Sequence, residues 1–316
     1  MRNAFADEIT RLGERDERVV LLSGDIGNKL FDSFKERFPK RFYNCGVAEQ
    51  NMIGVAAGMA LCGLRPVIYT IAPFTTTRCY EQIRVDLCYH AAPVLVVGTG
   101  AGLSYAELGP THHSLEDLAI MRVLPGMTVL APCDEAELRG GLGAALRLPG
   151  PSYMRIGKKG EPKVHGAMPA METGKVIPLV QGTDICLMAT GTIVPVALAA
   201  ARALEEKGIS TTVVSAPWIK PFDNEYLREA FARYPIVATV EEHSRIGGLG
   251  ALVAQWRAEH ANEGARLLCF GAGDSFMHEI GSQDYARSLH GLTCDNIARR
   301  CAELHQTLER ACSVSA

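Results

Sequence analysis

Residues 42–72 read FYNCGVAEQNMIGVAAGMALCGLRPVIYTIA, in which a strand-like run, a helix-like run and a second strand-like run follow one another. Residues 48–63 have the pattern of a helix that is rich in glycine and alanine. Residues 65–72 form a continuously apolar run, which is typical of a strand buried on both faces. The stretch therefore predicts one strand-helix-strand unit of a parallel sheet.

The same alternation continues on both sides of this unit. A stretch rich in Gly, Pro and Lys, residues 157–175, interrupts it and reads as a connection between domains. The strand-like runs are residues 18–24, 93–98 and 127–132 before the connection, and residues 184–190, 210–216, 235–242 and 265–271 after it. We therefore predict an α/β fold with two consecutive domains, residues 1–165 and 175–316, each built on a mainly parallel sheet.

The composition is typical of a globular protein, with 316 residues, 47% hydrophobic residues and a formal net charge of -3. It gives no indication of a nucleic-acid partner. The sequence has no apolar run of membrane-spanning length, and its charged N-terminal segment lacks the apolar core of a signal peptide. We expect a cytoplasmic protein without membrane contact. The ten cysteines include no CxxC pair and no clustered Cys/His spacing, so the sequence predicts reduced thiols and no metal site in this chain.

Three polar residues follow strand-like runs, where open α/β sheets bind their ligands. Glu49 opens the glycine-rich helix, Asp25 follows the first strand, and His112 lies in a loop after residues 93–98. Taken singly, each has an ordinary structural explanation: Glu49 at a helix dipole, Asp25 in a turn or helix cap, and His112 as a structural histidine.

Several blocks together resemble the transketolase family, which includes 1-deoxyxylulose-phosphate synthases and is related to 2-oxo-acid dehydrogenase beta subunits. GVAEQNMIGVAAGMAL (46–61) is similar to the family's glutamate motif, and PFTTTRCYEQIRVDL (73–87) to its aromatic block. GPTHHSLEDLAIMRVLP (109–125) resembles the histidine block, and EEHSRIGGLG (241–250) the C-terminal domain. The resemblance covers nearly the whole chain. It implies a pyrimidine-binding domain for thiamine diphosphate, followed by a transketolase C-terminal domain.

The resemblance implies roles for the residues that match the motifs. A carboxylate bonded to N1′ of the cofactor's aminopyrimidine stabilises the tautomer that activates it, and Glu49 is the residue expected to do so. Phe74 is expected to stack on the pyrimidine, and Arg78 either borders that ring or is an ordinary helix residue. Asp25 is expected near the thiazolium end. His112, in preference to His113, is expected to contact substrate oxygens.

The substrate side departs from the family pattern at three positions. Leu108 stands where an acidic residue reads a sugar hydroxyl, Gly100 replaces a histidine, and Lys158 replaces an arginine that clamps a phosphate. Arg2 and Lys29 match other parts of that anion site, although both could be ordinary surface charges. A lysine meets an anion without the bidentate fork of arginine. We therefore expect weakened phosphate or sulfonate recognition and an unusual sugar-type substrate.

The family's diphosphate-binding motif, which holds magnesium, does not occur in the sequence. The resemblance therefore implies a partner subunit that supplies most of the magnesium site, in an α2β2 assembly. The small residues of the 48–63 helix fit either close packing inside the domain or self-association through the pyrimidine-binding domain. We favour a split transketolase-like enzyme. The alternatives are a 2-oxo-acid dehydrogenase beta subunit, a deoxyxylulose-phosphate-synthase-like enzyme, and a non-catalytic partner-binding subunit.

Overall fold

A computed structural model of the chain describes residues 1–260 and 264–315, and their strands form two sheets. The strands are β1 (Val19–Ser23), β2 (Phe42–Asn44), β3 (Arg65–Ile71), β4 (Leu95–Thr99), β5 (Thr128–Leu130), β6 (Ser152–Ile156), β7 (Ile177–Val180), β8 (Ile185–Thr190), β9 (Thr211–Ser215), β10 (Trp218–Lys220), β11 (Ile236–Ser244) and β12 (Arg266–Ala272). The first sheet has the strand order β10-β5-β6-β4-β3-β1-β2, and the second has the order β12-β11-β8-β9-β7.

Helices cover the two sheets, and most of them lie between consecutive strands. They are α1 (Arg2–Arg15), α2 (Asp32–Arg37), α3 (Glu49–Leu61), α4 (Ala72–Thr75), α5 (Tyr80–Gln82), α6 (Asp117–Val123), α7 (Glu135–Ala145), α8 (Val194–Glu205), α9 (Asn224–Arg233), α10 (Leu249–His260), α11 (Gln283–Leu289) and α12 (Cys294–Ser315). A π-helical segment, Ile83–Tyr89, continues α5. Within the described residues, no helix combines the length and the apolar character needed to cross a membrane.

The predicted α/β class with mainly parallel sheets is confirmed. All strand pairs are parallel except β10 with β5 and β7 with β9, which lie at sheet edges. Every residue of β1, β4, β6, β8 and β9 is buried, which is the reason for their continuously apolar sequences. Parallel strands bring their carboxyl ends to one edge of the first sheet, and that edge carries the candidate site.

The two halves of the chain are joined more closely than two separate domains would be. Residues 157–176 contain no helix or strand, as expected for a connection. However, β10 from the second half returns to pair with β5 of the first sheet. The ammonium group of Lys220 at its end donates hydrogen bonds to the carbonyl oxygens of Arg122, at 3.0 Å, and Leu124. The strand was missed in the sequence because a three-residue run has no periodicity of its own and is stabilised by contacts that are distant in sequence.

Candidate active site

Glu49 lies at the start of α3, just beyond β2 at the carboxyl edge of the first sheet. Its side chain is only 4% exposed. One carboxylate oxygen, Oε1, accepts a hydrogen bond from Nη1 of Arg78 at 2.9 Å. The other, Oε2, is buried and has no hydrogen-bond partner among the described residues. Leaving a buried carboxylate oxygen without a donor costs about 1–3 kcal/mol or more. The geometry therefore fits a donor that comes from outside this chain.

Phe74 and Arg78 lie beside Glu49. Phe74 belongs to the short helix α4, and Arg78 to the single turn Thr77–Cys79 that follows it. The guanidinium carbon of Arg78 is 4.2 Å from the centre of the Phe74 ring, within the range of a cation-π contact. The side-chain amide of Gln50 donates to the carbonyl oxygen of Arg78 at 3.0 Å and holds this turn against α3. Three of the predicted residues are thus in direct contact.

His112 joins this group from the loop after β4. Its imidazole lies edge-on to the Phe74 ring, with 5.3 Å between the ring centres. The hydroxyl of Thr111 is 2.9 Å from Nδ1 of His112, so Nδ1 is engaged within the loop. The neighbouring His113 is buried, and its Nε2 faces the carbonyl oxygen of Ala106 at 3.4 Å. Burial lowers the pKa of His113. Of the two histidines, His112 is therefore the one that lies beside the candidate cofactor ring site.

The residues predicted to bind substrate anions lie on the far side of His112, around Tyr105. Nε of Arg2 donates to the hydroxyl of Tyr69 at 3.2 Å. The ammonium group of Lys158 forms an ion pair with Glu107 and lies 4.7 Å from the centre of the Tyr105 ring. The Glu107 ion pair therefore already engages the charge that is expected to receive an anion.

Tyr105 is a site residue that sequence reasoning missed. It is buried, and its ring centre is 6.0 Å from that of His112. Gly100 has a left-handed backbone, with φ of 84°, and a Cβ atom at this position would collide with the Tyr105 ring. The glycine that replaces the expected histidine therefore leaves space for Tyr105. The sequence signal was the unusual glycine at position 100, but nothing in the sequence indicates which side chain occupies that space.

Two predicted residues are separate from this group. Asp25 is exposed in the turn after β1, and its carboxylate accepts a hydrogen bond from the Asn44 side chain at 3.3 Å. Lys29 is exposed in the next turn, and within the described residues no side-chain contact joins it to Glu49, Phe74 or His112. Tyr80, considered as a border of the cofactor ring, instead donates its hydroxyl to the carbonyl oxygen of Ile120 at 2.9 Å. Its place in the fold was wrong because the chain turns between Arg78 and Tyr80.

A buried network beneath the His112 loop connects it to the second half of the chain. Asp117 accepts a hydrogen bond from the Tyr153 hydroxyl at 2.7 Å and pairs with Arg155 at 3.2 Å. Arg155 also donates to the carbonyl oxygen of Glu242 at 3.0 Å. His243 lies next to Asp117 and is fully buried, which lowers its pKa to about 4. This network fixes the base of the loop without touching the candidate cofactor site.

Comparisons with known proteins agree with these features. Residues 1–162 match the family model described as transketolase, pyrimidine binding domain, and residues 174–297 match the model described as transketolase, C-terminal domain. One of the two apulose-4-phosphate transketolase subunits of Phocaeicola vulgatus is 37% identical over 261 residues, or 82% of this chain and 84% of that protein. The 6-deoxy-6-sulfo-D-fructose transketolase subunit SqwH of Clostridium sp. is 34% identical over 311 residues, or 98% of this chain and 95% of that protein. A solved split-gene transketolase, described as an inactive beta4 tetramer, has a TM-score of 0.87 and 35% identity, and the match covers 96% of each chain.

Proposed function

The chain belongs to the transketolase family, and we propose that it is the C-terminal subunit of a split, thiamine-diphosphate-dependent transketolase. Its reaction is the transfer of a two-carbon ketol unit from a ketose donor to an aldehyde acceptor. Thiamine diphosphate, when bound, supplies the carbon nucleophile for this chemistry. The observation that carries the proposal is the buried Oε2 of Glu49, which has no partner in the described chain although Phe74 and Arg78 surround it.

The residues around Glu49 fit the aminopyrimidine part of the cofactor. Glu49 would hold the N1′ position through Oε2, since Oε1 is engaged by Arg78. Because Arg78 also packs on Phe74, it fixes the direction of the carboxylate relative to the aromatic ring. Phe74 offers its remaining ring surface for stacking. Asp25 is assigned to the thiazolium end on family resemblance, and no contact in this chain joins it to Glu49.

His112 is proposed to orient the substrate. When the Thr111 hydroxyl donates its proton to Nδ1, the proton of the neutral imidazole resides on Nε2. Nε2 can then donate to a substrate hydroxyl or to an oxygen that gains negative charge. The edge contact with Phe74 keeps this nitrogen next to the ring site.

The substrate class is proposed to be a sugar with a terminal anion. Lys158, with Arg2 and Lys29 as a more distant basic rim, provides the positive charge. Lys158 is paired with Glu107, so a phosphate or sulfonate must compete with that carboxylate. Two of the relatives are named for substrates with a phosphate and a sulfo group, which supports an anionic end. Leu108, 48% exposed in the same loop, offers an apolar surface where the family has an acid.

A partner subunit is proposed to hold the diphosphate and most of the magnesium site, in a cytoplasmic α2β2 assembly. The relative described as an inactive beta4 tetramer supports the requirement for a second subunit. Self-association is proposed to use α3. A Cβ atom at Gly58 would meet nothing within 4 Å, and Val55 and Leu61 on the same helix are exposed. Gly58 is therefore not explained by packing inside the subunit, which favours the interface interpretation of this helix.

The proposal is tested by assaying ketol transfer from ketose phosphates to aldehydes, with this chain alone and with its diphosphate-binding partner. We expect transfer only in the mixture, and a loss of about 10²–10⁴-fold with Glu49→Gln. Release of carbon dioxide from a 2-oxo acid, without ketol transfer, would instead favour the dehydrogenase or the deoxyxylulose-phosphate-synthase alternative. Full activity of Glu49→Ala in the complex would favour a non-catalytic subunit.

A further inference from the structure

A second group of reactive side chains lies away from the candidate active site, where the two halves of the chain meet. The Cys133 thiol, the Glu137 carboxylate and the His165 imidazole each place one ligand atom within 4.8 Å of the others. Cys133 and Glu137 are fully buried, and His165 is nearly so. Their positions in the sequence give no recognisable metal-binding spacing, because His165 comes from the connection after β6.

Three separate segments are fixed around these side chains. The carboxylate of Asp134 caps α7 by accepting hydrogen bonds from the backbone of Ala136 and Glu137, both at 3.0 Å. Its other oxygen accepts from the backbone amides of Val164 and His165, at 2.9 and 2.8 Å. The connection is thereby held against the start of α7, and the His165 ring is placed 2.8 Å from the Glu137 carboxylate. Two of the ligand-bearing segments are therefore positioned by a shared support.

The surroundings also leave room for a fourth ligand. Ser215, at the end of β9, is fully buried, and its hydroxyl has no hydrogen-bond partner within the described part of the chain. This hydroxyl is close enough to the Cys133 thiol to influence its ionisation. On the other side, Asp134 and His165 line a cavity of about 380 Å³ that reaches the surface. An ion could enter by this route, and a water molecule could complete its coordination.

We propose that Cys133, Glu137 and His165 bind a divalent ion of the zinc class. Sulfur, nitrogen and oxygen donors of this kind suit zinc, whereas magnesium prefers oxygen ligands alone. The site is therefore chemically distinct from a magnesium site for a diphosphate. A thiolate and a carboxylate neutralise the two charges of the ion, so the buried group carries no net charge.

The proposed ion would link both halves of the chain. Cys133 and Glu137 belong to the first half, His165 to the connection, and Ser215 to the second sheet. Binding replaces the proton of the thiol and the proton shared by His165 and Glu137, so the affinity rises with pH. The hydrogen bond to Glu137 raises the pKa of His165, and the proton is therefore the direct competitor of the metal.

The test is a titration of the full-length chain with cobalt(II), followed through its thiolate-to-metal absorption band. We expect saturation at one ion per chain, and displacement of the band by zinc. Cys133→Ser should abolish the band, and His165→Gln should weaken binding at least about tenfold. The matched control is Cys301→Ser, a buried cysteine in the core of the second half, which should keep the band.

Circular dichroism spectra that match those of the unsubstituted chain ensure that each variant is folded. A band that remains unchanged in Cys133→Ser would overturn the proposal, because another of the ten cysteines would then be the ligand. The absence of any saturable band in the unsubstituted chain would overturn it as well. Neither result bears on ketol transfer, so this proposal and the proposed function fail separately.

Discussion

Arg78 donates a hydrogen bond to only one of the two carboxylate oxygens of Glu49, at 2.9 Å, and leaves the other buried without a partner. This asymmetry gives the carboxylate a defined direction. Arg78 holds one oxygen and packs over Phe74, while the second oxygen is available to a ligand.

Arg78→Ala should weaken binding of thiamine diphosphate to the assembled enzyme by about 10–100-fold, because a hydrogen bond to a charged group contributes about 1.5–3 kcal/mol. Calorimetric titration of the complex with the cofactor measures this effect. Arg84→Ala is the matched control, since Arg84 pairs with exposed Glu81 and should leave the affinity unchanged. Equal affinities in the wild type and Arg78→Ala would show that Arg78 does not orient Glu49.

Gly100→Ala should destabilise the chain by at least about 1–2 kcal/mol. Alanine disfavours the left-handed backbone at this position, and its Cβ atom would collide with Tyr105. Urea unfolding measures the change. Adding Tyr105→Ala to this variant removes the collision but not the backbone cost, so the loss caused by Gly100→Ala should be smaller in that background. Strictly additive effects of the two substitutions would contradict the contact.

Gly58→Arg should separate the two interpretations of the small residues in α3. Since the space beside Gly58 is open, the variant should fold with unchanged or slightly higher stability, because glycine is a poor helix former. If α3 forms a subunit contact, light scattering should detect a smaller oligomer. An unchanged oligomer would place the interface elsewhere.

His243 should make stability depend on pH. Burial lowers its pKa in the folded state to about 4, below its ordinary value of 6.5. Between these values the unfolded chain binds more protons, so the contribution of His243 to stability increases as pH rises through this window and is lost as pH falls. The expected span is up to about 3 kcal/mol.

The measurement compares urea unfolding of the wild type and His243→Asn from pH 4 to pH 7. The comparison is necessary because Glu241, which burial raises to a pKa of about 7, has the opposite pH dependence and is present in both proteins. The stability difference between the two proteins should shift in favour of the wild type as pH rises. A difference that stays constant over this range would show that His243 titrates normally.

Much of the fold was predictable because buried parallel strands are continuously apolar. The runs at residues 18–24 and 93–98 correspond to β1 and β4 for this reason. Strands β7 and β10 were not predicted, since they are short edge strands whose partners are distant in sequence. The separation of the chain at residues 157–175 likewise did not indicate that β10 returns to the first sheet.

The candidate site was predictable where a motif carries it. Glu49, Phe74, Arg78 and His112 were identified by resemblance, and their proximity in the fold supports the assignment without testing the roles. Tyr105 was not predicted, because its position depends on the space that Gly100 leaves. The group formed by Cys133, Glu137 and His165 was also missed, since folding brings together residues whose spacing matches no motif.

The most direct test of the split-subunit account is calorimetric titration with thiamine diphosphate in the presence of magnesium. The chain is measured alone and then mixed with its diphosphate-binding partner, with Glu49→Gln in the mixture as the control. The account predicts tight binding only in the mixture, weakened by Glu49→Gln, because this chain supplies the pyrimidine half of the site. Equally tight binding by the chain alone would contradict it.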